Sequence, residues 1–305
     1  MNNIIKNITK NMNLILESIS IIIPYYHLMD KKVIMQYTNL NQFFMENIMT
    51  KKGERHRLSL IIATLGPSTD NEKELITMIT AGIARQWTDG VDIARVVHSD
   101  GESTVINRVN VFREQCSKRN LNTSIYLDTN DTNVKNFDKY LALAKTIKPK
   151  YISIPKKFGI EVINNTKRTF QDSMLVGVRV EADDDISDIE SYLEISDFAM
   201  VELPSKIIVD EKIVEKAKQK NCEPIYLAKM PTLMEGQVQS RDENFEIGHT
   251  LEDGFDIVAL YEETSHGPYS ARAVKCLDEI AVESEKLRVN PFGDLLDKFL
   301  SFFKK

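Results

Sequence analysis

The stretch IIATLGPSTD (61–70), followed by VDIARVVHSDGE (91–102), lays out one design twice: an apolar run, a polar turn, then a helix. Leu60 to Leu65 is too short for a helix and closes on Gly66-Pro67. Ser68-Thr69-Asp70 are predicted to cap a helix beginning near Glu72. Val91 to Val97 is a second β-branched run, ending on Ser99 and Asp100-Gly101 before a helical pattern over 103–119. Two βα units in succession predict a parallel sheet.

The alternation continues outward along the chain. Strand-like runs fall at 58–65, 91–97, 123–128, 150–154, 174–181, 198–203, 223–229 and 256–262. Helical patterns separate them at 71–82, 103–119, 136–147, 158–169, 185–196, 206–220, 240–252 and 269–287. Eight of each is the tally of an α/β fold closed into a (β/α)8 TIM barrel, here over 57–290, which commonly takes about 250 residues as one domain. A doubly wound open sheet also uses parallel strands, but rarely eight in strict alternation.

Residues 1–56 lie outside this pattern and are rich in Asn, Ile and Met, with helical spacing in 12–22 and 39–49. They are expected to form a helical extension leading into the basic patch KKGERHR (51–57), which reads either as a solvated linker or as an anion-binding patch. The tail FGDLLDKFLSFFKK (292–305), within a terminal segment 291–305, sets Leu295, Leu296, Phe299, Leu300 and Phe303 on one stripe of a short helix. That stripe suits docking on the barrel, docking on a sister subunit, or membrane contact.

The chain has 305 residues, 42% hydrophobic and 28% charged, with a net charge of −6, which is ordinary for a globular protein and gives no sign of nucleic-acid binding. Cys116, Cys222 and Cys276 are far apart, odd in number and without CxxC spacing, so neither a disulfide framework nor a zinc site is indicated. The apolar run Ile19 to Tyr26 is broken by Pro24 and too short to span a bilayer. No signal-peptide pattern leads into it. A cytoplasmic protein without a transmembrane segment is expected, with homo-oligomers or a protein partner engaged through outer helices or termini.

Ile-Ile-Ala-Thr-Leu-Gly-Pro (61–67) and Ile-Ala-Arg-x-x-x-Ser-x-Gly (93–101) resemble the first two strands of the pyruvate kinase family. IYLDTN (125–130), MLVGVRVE through EISDFAMV (174–201) and SRDENFEIGHTLEDGFDIVALYEETSHGPYSARAV (240–274) keep that family's order, so the resemblance covers 58–290. It implies a barrel descended from an enzyme that moves phosphoryl from phosphoenolpyruvate to ADP with Mg²⁺ and usually K⁺. It also implies two losses: the lid that interrupts the barrel after the third strand, since the fourth run begins at 150, and the C-terminal regulatory domain.

What the resemblance implies for the site differs from strand to strand. Arg95 stands where the family's Arg holds the substrate phosphate, a task suited to a guanidinium fork, although Arg85 in AGIAR (81–85) offers a rival register. Ser99, Asp128 and Thr129 match ligands of the monovalent-cation site, but Val97 replaces its Asn and puts K⁺ dependence in doubt. At strand five Arg179 replaces the active-site Lys and Glu181 matches the Mg²⁺ ligand, while Arg179 and Glu181 at i, i+2 also suit a structural ion pair. At strand six Ser205 falls where the second metal ligand, an Asp, belongs; Pro204 removes a backbone N–H, and Glu202 offers a carboxylate from another direction. At strand seven Ala228 replaces the Thr linked to proton delivery and Lys229 is a neighbouring amine; Glu263 and Thr264 match structural positions, and His98 is the best-placed histidine.

These substitutions imply a divergent pyruvate-kinase-like barrel that is not an ordinary pyruvate kinase. It is expected to act on a small oxoacid or phospho-anion, with Arg95, Arg179 and Lys229 as catalytic candidates, Arg95, Ser99 and Ser205 touching substrate, and Glu181, Asp128 and Thr129 as candidate ligands for Mg²⁺ or K⁺. A catalytically silent binding scaffold and a weak phosphotransferase completed by a partner are the alternatives.

Overall fold

A computed structural model of the protein describes residues 57–81, 90–129, 136–202 and 210–288. Its strands are β1 (Leu60–Thr64), β2 (Ile93–Val97), β3 (Ser124–Asp128), β4 (Tyr151–Pro155), β5 (Leu175–Val180), β6 (Phe198–Val201), β7 (Glu223–Ala228) and β8 (Ile257–Leu260). A long helix follows each: α1 (Glu72–Ile79), α2 (Glu102–Lys118), α3 (Phe137–Ile147), α4 (Ile160–Phe170), α5 (Ile189–Ile195), α6 (Asp210–Gln219), α7 (Arg241–Glu252) and α8 (Ser270–Arg288). All eight strands are parallel and close in the order β1 to β8, with β8 returning to β1 at Leu60 opposite Ile257. The chain is a (β/α)8 TIM barrel. The strands read as continuous apolar runs because both faces are covered, one by the helices and one by the barrel's own interior.

Alternation along each strand divides the core in two. Ile61, Ala63, Val96, Leu127 and Val178 face the helices, packing with residues such as Val105, Leu143 and Leu277. Ile62, Ile93, Tyr126, Tyr151, Phe198, Met200, Leu227 and Ala259 fill the interior. Tyr126, Tyr151 and Phe198 meet edge to face with centroids 5.5–6.4 Å apart, so the barrel is a packed core with an aromatic floor. Gly177 makes room for it, because a Cβ there would lie 2.4 Å from the Phe198 carbonyl oxygen and 2.5 Å from its ring.

The base of the barrel corrects one expectation. Arg57, the last residue of the basic patch, is neither solvated nor available to an anion: it is fully buried. Its Nε donates to Asp278 (3.0 Å) and its Nη2 to Asp92 (2.9 Å) and the Gly90 carbonyl (3.0 Å). Asp92 in turn accepts from the Ile61 amide, and Glu285 accepts from the amides of Leu58 and Ser59, so the chain is fixed where it enters β1. Residues 1–56 and 291–305, and the readings placed on them, lie outside the described residues.

The turn after β1 gives a second correction. Ser68-Thr69-Asp70 do not cap α1; Pro67–Thr69 form a 3₁₀ turn, and Asn71 is the cap, accepting from the amides of Lys73 (2.9 Å) and Glu74 (3.4 Å). Asp70 is engaged elsewhere, pairing with Arg108 of α2 at 2.6 Å. Among the described residues no helix is long and apolar enough to cross a membrane, and all three cysteines are buried and free.

Replacing Gly177 with Ala forces the Phe198 ring and backbone to move, and is expected to lower unfolding free energy by about 3 kcal/mol, read by urea denaturation. An unchanged midpoint would mean that the aromatic floor has slack that these contacts deny.

Candidate functional site

At the C-terminal end of the barrel the inward file changes character. Two residues beyond the apolar interior, the positions become Thr64, Arg95, Asp128, Ser153, Arg179, Glu202, Lys229 and Tyr261 in strand order. This polar layer lies where barrel enzymes keep their working residues. Period-two alternation carries each side chain inward, and parallel register sets Thr64 opposite Arg95, while Arg95 lies opposite Tyr126, two residues before Asp128.

Asp128 is the centre of the layer and is fully buried. Its Oδ2 accepts from Arg95 Nε at 2.8 Å and Nη2 at 2.5 Å, and from Arg179 Nη1 at 3.4 Å. Its Oδ1 accepts from the Thr129 amide at 2.8 Å and from the Ser153 hydroxyl. Burial alone would push this carboxyl's pKa up; the charges of Arg179 and then Arg95, with the Ser153 hydroxyl, outweigh it and hold the pKa below the usual 3.8.

Arg95 is likewise fully buried. Besides its two bonds to Asp128 it donates from Nη1 to Thr64 Oγ1 at 3.0 Å, and Tyr261 lies over its guanidinium at 4.5 Å. Thr64 is fixed in turn, donating to the Leu260 carbonyl (2.7 Å), while its amide donates to Thr264 Oγ1 (2.9 Å). Three of the five guanidinium N–H groups are thereby engaged within the barrel.

Arg179 spreads over the opposite side. Nη1 donates to the Thr129 carbonyl at 2.9 Å as well as to Asp128, and Nη2 lies 3.9 Å from both Glu181 Oε1 and Glu202 Oε2. The outer oxygens of those two carboxylates carry lysines: Lys157 on Glu181 at 2.7 Å and Lys229 on Glu202 at 2.8 Å. Desolvation opposes the Arg179 charge, but Asp128, Glu181 and Glu202 raise its pKa further above the ordinary value. The layer therefore grades from a sealed pair, Arg95 and Asp128, to Lys229, which is 64% exposed.

Arg95, Asp128, Thr129, Arg179, Glu181 and Lys229 thus join one connected network. Ser99 does not enter it through these contacts: it is exposed in the 3₁₀ turn His98–Asp100, beside an Asp100 that pairs with Arg108. His98 stands edge-on to Tyr140 at 5.6 Å. Arg85 and Ser205 lie outside the described residues, as do the loop segments 130–135 and 203–209. Glu263 accepts from the Met230 and Tyr261 amides, fixing the loops after β7 and β8. Sequence reading missed Thr64, Ser153, Lys157 and Tyr261. Counting two residues on from the last inward apolar side chain finds all of them except Lys157, which sits in the turn after β4.

The oxygens of Glu181 and Glu202 are of the kind Mg²⁺ takes, but they do not fit it as arranged. Both oxygens of each carboxylate already face a protein cation, and a metal between the two would have to displace Arg179. Among the described residues no group of three or more His, Cys, Asp or Glu could hold a metal ion.

The chain is similar to Pyruvate kinase isozyme G, chloroplastic, of Nicotiana tabacum, with 29% identity over 119 residues. That match covers 35% of this chain and 21% of the tobacco protein, so the chain spans about a fifth of the relative it matches. No family model matches. The partial match and the eight-stranded barrel together fit a pyruvate-kinase-like barrel.

Because its folded-state pKa lies below the unfolded value, Asp128 contributes fully to stability above about pH 5, and that contribution is lost as pH falls toward the folded-state pKa. Asp128→Asn leaves two guanidinium groups short of their counter-ion and is expected to cost about 3–5 kcal/mol at pH 7. Urea titrations should show the gap to wild type narrowing below pH 4. A gap independent of pH would rule out an ionised Asp128.

Proposed function

We propose that the barrel mouth binds a small oxoacid or phospho-anion and that the chain does not carry out ordinary phosphoryl transfer from phosphoenolpyruvate to ADP. The observation that carries this reading is the set of cations in the ion-pair network. Arg95, Arg179, Lys157 and Lys229 pair with Asp128, Glu181 and Glu202, while the neighbouring Asp184 and Glu263 are taken up by backbone amides. Lys229 and Lys157 hold their partners from the solvent side, where an incoming anion can compete for them. Arg179 is the inner cation for such an anion, and Arg95 acts beneath it by holding Asp128.

Phosphoryl transfer rests on positioning and on neutralising charge around the moving group. Ala228 has no proton to give, and Arg179 stands where the resemblance calls for Lys. Losses of single electrostatic donors of this kind cost about 3–4 kcal/mol each in other enzymes, so the combination removes ordinary turnover. A second reading, a silent scaffold, is favoured by Arg95 alone, whose complete burial leaves it no direct path to a ligand.

Thermal-shift and calorimetric titrations of the full chain with oxalate, pyruvate and inorganic phosphate separate the two. Binding of at least one anion is expected, weakened roughly tenfold or more in Lys229→Ala, as for loss of one charge-assisted hydrogen bond. Absence of any response favours the scaffold. Turnover of about 10 s⁻¹ with phosphoenolpyruvate, ADP and Mg²⁺, a typical enzyme rate, would overturn the proposal outright.

A further inference from the structure

We infer that Arg179 is a built-in cation that replaces an exchangeable metal ion at the barrel mouth, so that the layer is held together without K⁺ or a divalent ion, and that removing the guanidinium would open a cation site. This goes beyond the anion reading and holds whether or not an anion binds.

The geometry is that of a cation within an oxygen cage. One arm of the guanidinium reaches the Thr129 carbonyl at 2.9 Å and Asp128 Oδ2 at 3.4 Å. The other lies between Glu181 Oε1 and Glu202 Oε2 at 3.9 Å from each. A backbone carbonyl and carboxylates are donors of the type a hard cation selects, although with Arg179 between them these three carboxylates do not form a metal-holding group. The oxygens come from the ends of β3, β5 and β6, so a single side chain joins three strands that would otherwise present like charges to one another. Glu181 is itself held in place, its amide donating to Asp184 at 2.8 Å.

A guanidinium suits this task where an ammonium does not. It is planar and two-armed, it stays charged, and it is weakly hydrated, so it tolerates burial at 6% exposure while serving two groups of acceptors at once. A metal ion at the same place would exchange with solvent and depend on its concentration, whereas Arg179 does neither.

Full-length wild type and Arg179→Ala are compared by thermal melting in choline chloride, then in MgCl₂, CaCl₂ or KCl at matched ionic strength. Wild type is expected not to respond. Arg179→Ala should melt lower in choline chloride and recover by about 5 °C or more with at least one cation at roughly a hundredfold its dissociation constant. Equal stabilisation of wild type and variant overturns the inference, as does a folded variant that ignores all three cations. Should Arg179→Ala fail to fold in choline chloride, rescue of refolding by any of the cations supports the inference. Failure with all three, together with an unresponsive, folded Arg179→Gln, overturns it. Failure of the wild type to bind oxalate or phosphate would count against the anion reading and leave this result untouched.

Discussion

Burying the Asp128 carboxylate is the constraint on which the barrel mouth depends. An isolated carboxylate with no access to water costs several kcal/mol, and this one is fully buried. It is tolerated because two guanidinium groups, the Ser153 hydroxyl and the Thr129 amide converge on it. Those donors sit on β2, β4 and β5 and just beyond β3, and Arg95 extends the set to Thr64 of β1. One negative charge therefore fixes the upper ends of five consecutive strands. It also settles what is left for a ligand, since Arg95 is held under Tyr261 and toward Asp128.

The fold was legible because parallel barrel strands are covered on both faces and so appear as uninterrupted apolar runs of fixed length. All eight runs correspond to strands, and the helical patterns to the helices between them. What failed was local, and in each case a distant partner decided it. Asp70 has the right chemistry for a helix cap, but Arg108 of α2 takes it, and a 3₁₀ turn moves the cap to Asn71. Arg57 carries the composition of a solvated patch, yet Asp92 and Asp278, far along the sequence, enclose it. Neither pairing has a signature within a short window.

At the mouth, residue types were legible and pairings were not. The chain announces Arg95, Asp128, Arg179 and Glu181 by their places at strand ends. Whether Arg95 faces a ligand or a carboxylate depends on the registers between β1, β2 and β3, which set Thr64 beside Arg95 and Val97 beside Asp128. The Arg179 bond to the Thr129 carbonyl is harder still to foresee, because it crosses from β5 over the end of β4 to a backbone atom beyond β3. Thr64, Ser153 and Tyr261 went unnoticed because none is charged, although the period-two count places each in the layer.

The exchange of Lys for Arg at position 179, taken against the pyruvate-kinase-like pattern, matters more for its shape than for its charge. A lysine ammonium is a point donor on a flexible stem, and it leaves neighbouring oxygens free for other cations. The guanidinium reaches Thr129 and Asp128 with one arm and lies against Glu181 and Glu202 with the other, so those oxygens are shared before any ligand arrives. Only the outermost charges, Lys157 and Lys229, remain on the solvent side of their partners. A mouth organised in this way has its charges paired in the interior and its most exposed cation, Lys229, at the rim, and it is on this gradation that the proposed anion binding rests.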